Sequence, residues 1–321
     1  MESKKKLELK PFFVERMKKI LGKDFDFYLR SINEPIKNYI RCNTLKITPE
    51  ELKLKLENKG WKIFQPFNNF PEIMLIKNKL APGELGSSLE HVLGYYYVQD
   101  VASMMPVLAL DPKPNEFVLD IASSPGSKTT QIAAKMQNKG TIIANDISLG
   151  RIKILASNLE RCGVSNTIIL RKDGGLLCDF FIENGSKFDK ILFDAPCSGE
   201  GTLKSSDKTA RIWNINTVKK MSKIQKRILR KAIRILKKDG VLVYSTCTHS
   251  PEENEEVINF VLNEFKNEIV LEEIKIPLRC RPGILNWENS FYSEEIIKTC
   301  RIYPQDNDSE GFFIAKIKKL K

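Results

Sequence analysis

The stretch FVLDIASSPGSKTTQIAAK (117–135) decides how the rest of the chain is read. Residues 117–121 form a short apolar run of strand length. A turn follows at Pro125-Gly126, and 128–137 has helical spacing. Strand, turn and helix in that order make the first half of a βαβ unit. The turn is not a phosphate loop of the G-x-x-x-x-G-K-[ST] type, because Ile121 and Ser127 occupy the glycine positions. It is not G-x-G-x-x-G either. Gly126 still allows a ligand to approach the backbone closely.

Downstream the same alternation continues. Strands are expected at 141–144, 167–170, 188–193, 240–245, 270–276 and 311–317. Helices are expected from Ser148 to 161, stopped near Gly163, and over 214–238 and 252–265. Alternating strands and helices predict an α/β doubly wound sheet. Upstream the pattern is mixed. Helices are read at 11–21, 25–32, 100–110 and after the Thr48-Pro49-x-Glu51 cap as far as 59. Strands are read at 39–43, 61–64 and 73–76. The segment DPKPN (111–115) reads as a linker. Two domains are therefore expected, 1–112 and 113–321.

The 321 residues suffice for about two domains with a sizeable core each. No apolar run approaches the ~20 residues of a membrane span, and MESKKKLELK has no apolar core of a secretory signal. An intracellular protein with no membrane role is expected. The seven cysteines include no C-x-x-C pair, and there are two histidines. Neither a disulfide framework nor a metal site is expected. The net charge of +12 favours a polyanionic partner such as nucleic acid. A lysine-rich composition alone would give the same charge.

Ligands of doubly wound sheets bind beyond the C-terminal strand ends. Those ends carry Asp120, Asp146, Asp173, Asp194 and Cys247. Asp146 is placed to bond ribose hydroxyls and Asp173 an adenine amino group. Carboxylates also suit a sulfonium, so the expected ligand is S-adenosylmethionine. Any one of these aspartates alone reads equally as a turn or helix cap.

Two cysteines also close strands, Cys197 in DAPC (194–197) and Cys247 in STC (245–247). Ser250, Pro251 and Glu253 read as a capping box, which would place Cys247 close to a helix N-terminus. Positive potential there favours a thiolate. A thiolate can add to C6 of cytosine and make C5 nucleophilic. A lone buried cysteine reads as packing instead, and the second cysteine is what favours chemistry.

DIASSPGSKTTQIAA (120–134), DAPCSGEGT (194–202) and YSTCT (244–248) followed by PEENEEV (251–257) resemble the RNA 5-methylcytosine methyltransferases of the Sun/nucleolar-antigen family. RCNTLK (41–46), LGYYYVQDVASMMP (93–106) and RIYPQDNDSEGFFIAK (301–316) extend the resemblance over nearly the whole chain. It implies a Rossmann-type S-adenosylmethionine methyltransferase sheet with a smaller mixed α+β N-terminal RNA-binding domain. It implies Cys247 as nucleophile, Cys197 in release of the methylated RNA, Asp194 on the cytosine edge and Lys128 organising the site. The turn Ala122, Ser123, Ser124, Pro125, Gly126, Ser127 and Lys128, with Asp146, Arg151, Asp173 and Asp194, would hold S-adenosylmethionine. Arg41 and Asn43 would contact RNA. Ser123 and Ser124 depart from the family's alanines, and Gln305 from its histidine.

The expected reaction is methylation of cytosine C5 in structured RNA, tRNA first and rRNA next, by a cytoplasmic enzyme. A non-catalytic RNA-binding factor and a small-molecule methyltransferase are the rival readings. The helix at 214–238 holds ten basic residues and no acid. It reads as a solvated face packed on the sheet that could also steer RNA. Tyr95–Tyr97 read either as packing or as a base-stacking platform. His91 and His249 read as structural or polar surface residues, and the place of His249, two positions from Cys247, leaves a minor site role open. The resemblance says nothing of oligomeric state.

Overall fold

The computed structural model describes residues 7–321. The lysine-rich start on which the absence of a signal was read lies mostly outside those residues. Contacts divide the chain into two compact units. The first holds residues up to 36, 195–230 and 244–321, and the second holds 37–194 and 231–243. This division does not follow the expected boundary at 112. Residues before 37 pack with later segments because Phe13, Met17, Phe25, Tyr28 and Ile32 share one apolar core with Leu203, Trp213, Val218 and Tyr303.

The first unit opens with α1 (Pro11–Leu21) and α2 (Phe25–Asn33). The second unit begins with β1 (Asn38–Cys42), α3 (Pro49–Glu57), β2 (Ile63–Phe64), β3 (Ile73–Ile76) and β4 (Tyr96–Val98). The capping box of α3 is present, with Thr48 and Glu51 bonding each other's backbone. These four strands form an antiparallel sheet in the order β2-β3-β1-β4. One face is sealed by Ile40, Leu52, Leu56, Trp61, Met74 and Tyr96.

Then come α4 (Val101–Leu110), β5 (Phe117–Asp120), α5 (Ser127–Lys135), β6 (Thr141–Asn145), α6 (Leu149–Cys162), β7 (Thr167–Leu170), α7 (Gly174–Glu183) and β8 (Phe188–Asp194). Strands β5 to β8 run parallel in the order β7-β6-β5-β8. The chain steps outward from β5 to β7 and then returns to the other side of β5. That reversal makes a crevice at the C-terminal ends of β5 and β8, where doubly wound sheets take ligands. The α/β reading therefore holds, and only α7 and β4 among these elements went unread.

The long helix α8 (Ile215–Arg234) ends four residues before the expected limit, and β9 (Leu236–Thr246) starts at once. The backbone there is taken by β8, since Phe188 N–H donates to the Ile235 carbonyl at 2.9 Å. The first unit closes with α9 (Glu255–Glu264), β10 (Ile269–Glu272), β11 (Cys300–Ile302) and β12 (Phe312–Lys319). Strands β10 and β11 pair antiparallel with β12. Cys280 and Cys300 are joined in a disulfide with Cα atoms 5.1 Å apart, against the expectation of unpaired thiols. Antiparallel pairing of Pro282 with Cys300 brings the two within reach, and a separation of 20 residues gives no sign of it. No helix among the described residues is long and apolar enough to cross a membrane.

Candidate active site

In the second unit the turn after β5 is tied down from several sides. The Asn145 side-chain amide donates to the Ile121 and Lys172 carbonyls at 2.9 and 3.0 Å, and the backbone carbonyl of Asn145 accepts the Ser123 N–H and hydroxyl at 2.8 Å each. One residue thus links the ends of β5, β6 and β7. The Ser124–Pro125 bond is cis. Gly126 takes φ +104°, and a Cβ there would sit 3.1 Å from Leu155 Cδ1, so a glycine suits the position on both counts. The Ser124 and Pro125 carbonyls accept from Arg151 and Asn158.

Asp120, Asp146 and Asp194 line the same strand ends. Asp146 is buried, takes the Ser148 N–H at 2.9 Å and lies 3.4 Å from Arg151 Nε. Asp173 closes β7 and caps α7 through the Gly175 and Leu176 amides. Asp120 is fully buried, and burial pushes its carboxyl up to about 7 although Thr129 donates to it at 2.7 Å. Its Oδ1 has no hydrogen-bond partner. Ile147, next to Asp146, is exposed. Unsatisfied carboxylate oxygen, a hydroxyl-binding acid and an exposed apolar face suit a ligand with a ribose, a base and a cationic end. The residues present fit S-adenosylmethionine.

Lys128 is buried at the start of α5, with its ammonium 2.8 Å from Asp194 Oδ2 and 3.0 Å from Ser103 Oγ. The carboxylate at the end of β8 is thus held by a cation from the neighbouring turn. Asp194 stays partly exposed at the strand end.

In the first unit the Cys197 and Cys247 sulfurs lie 3.1 Å apart, both partly exposed. Cys247 directly follows β9, as the sequence suggested. The capping box does not form. Helix α9 starts only at Glu255, and its N-cap Asn254 makes no side-chain cap. The Ser250 hydroxyl donates to Glu200 at 2.6 Å instead, and Glu253 takes the Ser198 N–H at 3.0 Å. Cys247 therefore does not adjoin a helix N-terminus, and its sulfur faces the neighbouring thiol. The hydrogen bond to Cys247, aided by burial, pushes the Cys197 thiol well above its usual range.

Several of the other residues singled out in the sequence are buried. Arg41 is buried, and its guanidinium bonds Gln99, the Ser127 carbonyl at 2.7 Å and Thr130 Oγ1 at 2.8 Å. Burial lowers it to about 10. Asn43 is buried as well and donates to the Gly94 and Cys162 carbonyls. Both side chains are spent on the chain's own polar groups, so they present nothing to RNA. Tyr96 and Tyr97 pack inward on β4 and offer no base-stacking face. His249 is buried and stacked on Tyr303, and burial lowers it to about 3.

Sequence reasoning did not find Glu253 and Gln225 as neighbours of the thiols. Gln225 donates to the Pro196 carbonyl at 2.8 Å and to Glu253 at 2.9 Å. Its one signal was a polar residue within the apolar stripe Val218, Met221, Leu229, Ala232. Ser103, on Lys128, carried no signal.

Residues 107–318 match the family described as 16S rRNA methyltransferase RsmB/F. Residues 9–101 match the N-terminal domain of 16S rRNA methyltransferase RsmF. The tRNA (cytosine(49)-C(5))-methyltransferase of Pyrococcus abyssi is 42% identical over 95% of this chain and 95% of its own. Ribosomal RNA small subunit methyltransferase F of Aliivibrio salmonicida is 40% identical over 92% of this chain, which spans only 60% of that relative's length. Among solved structures, a methyltransferase homolog from Pyrococcus horikoshii superposes with TM-score 0.85 at 34% identity, covering 98% of this chain and 96% of that one. NSun6 from Pyrococcus horikoshii, solved with SFG, gives TM-score 0.82 at 27% identity, covering 99% and 98%.

Proposed function

Because the chain belongs to the RsmB/F RNA methyltransferase family, we propose that it methylates C5 of cytosine in tRNA through a covalent adduct on Cys247. Dependence on S-adenosylmethionine comes with the family. The cofactor supplies an electrophilic methyl group on a sulfonium. The observation that carries the covalent reading is the thiol pair at 3.1 Å. Full-length coverage of a tRNA-modifying relative favours tRNA. Shorter coverage of the rRNA-modifying relatives leaves rRNA as the alternative.

The target cytosine is flipped out of its stack. Asp194, fixed by Lys128, accepts from the exocyclic amino group. The Cys247 thiolate forms a bond to C6, and C5 becomes the nucleophile that would take the methyl group as its bond to the sulfonium breaks, leaving a neutral thioether. Loss of the C5 proton and cleavage of the C6–S bond restore the aromatic ring and return Cys247 as thiolate. Cys197, beside it, assists that release. Asp146 and Asp173 bind the ribose and adenine, and the 122–128 turn with Arg151 closes round the cofactor. Residues 1–112 serve as the RNA-binding extension, and the enzyme works in the cytoplasm among its RNA substrates.

Labelled methyl transfer to tRNA and to 16S rRNA fragments tests the reading. Cys247→Ala is expected to abolish transfer, and Cys197→Ala to leave a slow-migrating protein–RNA adduct on a denaturing gel. Full activity of Cys247→Ala would sink the covalent mechanism. Transfer to rRNA but not tRNA would reassign the substrate.

A further inference from the structure

Cys197 sits in an irregular turn, DAPCSGEG, with no regular element to fix its sulfur. Two side chains from elsewhere in the first unit hold the residues on either side of it. Gln225, on α8, donates its amide to the carbonyl of Pro196 at 2.8 Å. Glu253 accepts the N–H of Ser198 at 3.0 Å. The two are themselves joined, since Gln225 Nε2 reaches Glu253 Oε2 at 2.9 Å. Both are fully buried. The Ser198 hydroxyl then meets the Thr248 hydroxyl at 2.8 Å, linking the residue after one cysteine to the residue after the other. Gly201 N–H donates to the Cys247 carbonyl at 2.9 Å, tying the far end of the same turn to the second thiol.

We propose that Gln225 and Glu253 are positioning residues that fix the Cys197 sulfur against Cys247 and thereby set the rate of RNA release. This rests on the adduct mechanism above. Neither residue reaches a sulfur in hydrogen-bond range. They act through the backbone that carries Cys197, and a shift of the order of 1 Å in a reacting group can cost about a hundredfold in rate. Burial, with the charge of Glu200 adding to it, pushes the Glu253 carboxyl up to about 8. At neutral pH it is then mostly an uncharged acid. It can accept hydrogen bonds through its carbonyl oxygen without setting a negative charge beside a thiolate.

An uncharged acceptor is mimicked by glutamine, which gives the test its control. Full-length Glu253→Ala and Gln225→Met would be compared with Glu253→Gln in steady-state methylation of tRNA and in adduct retained on denaturing gels. Glu253→Ala and Gln225→Met should lower kcat about tenfold or more, keep the KM for RNA within about threefold and accumulate adduct. Glu253→Gln should restore turnover. Wild-type release by Gln225→Met, or a Glu253→Gln as impaired as Glu253→Ala, would overturn the proposal. Thermal melts identify a variant that fails to fold, and Gln225→Met decides the matter if Glu253→Ala does. Active Cys247→Ala controls or a wild type without methyl transfer would instead indict the adduct mechanism itself.

Discussion

Cys247 is followed by three fully buried residues, Thr248, His249 and Ser250, and its side faces a second sulfur. A capping motif read from Ser250, Pro251 and Glu253 placed it near a helix end, but those side chains found partners further along the chain. The lesson is local. Glu253 takes the Ser198 amide 55 residues before it, while the Ser250 amide three residues before it bonds the Thr248 hydroxyl at 3.4 Å. Asp120 shows the opposite case, a strand-end acid that the sequence did place. Its carboxyl is raised to about 7 against an ordinary 3.8. The folded state thus binds the proton more tightly than the unfolded chain. Its contribution to stability is complete below about pH 3.8 and is lost as pH rises through 7. Thermal unfolding between pH 4 and 8 should show that slope, and Asp120→Asn should flatten it. An unchanged slope would mean that the carboxyl is not buried in solution.

At the scale of elements, α8 and β9 decide how the two thiols are presented. The amphipathic stripe of α8 was plain in the sequence, and its interior residues Leu229, Ala232 and Ile233 are fully buried. Helical periodicity continued through Ile235 and Leu236, so the sequence placed the helix end too late. A β8 amide captured the Ile235 carbonyl, and that competing partner lies 47 residues back. The charged face, read as a solvated face packed on the sheet, holds both paired and exposed cations. Lys226 pairs with Glu256 at 2.5 Å and Lys231 with Asp179 at 2.5 Å, while Lys219, Lys220 and Lys223 are exposed. Truncating Ile233→Ala should cost about 2–5 kcal/mol in urea unfolding, through lost burial and the cavity left behind. A loss below about 1 kcal/mol would mean that the helix is not packed there as described.

Over the whole molecule, the count of cysteines separates what is reactive from what is structural. Five are free and two are cross-linked. Thiol titration of the denatured, unreduced protein should therefore find five thiols, rising to seven after reduction. Seven without reductant would show that Cys280 and Cys300 do not pair in solution. The succession of strands and helices from Phe117 to Asp194, and the strand ends with their acids and cysteines, followed from the sequence. Those features repeat at short range, and side-chain period and turn residues encode them within a few neighbours. The tertiary structure alone decided that residues before 37 pack with Leu203 and Trp213, that Arg41 and Asn43 point inward, that Cys280 meets Cys300, and that Gln225 and Glu253 flank Cys197. Each of these joins positions at least 20 residues apart. Such pairings are chosen by burial and by the demand that every buried polar group find a partner, a condition on the packed molecule that no local stretch of sequence states.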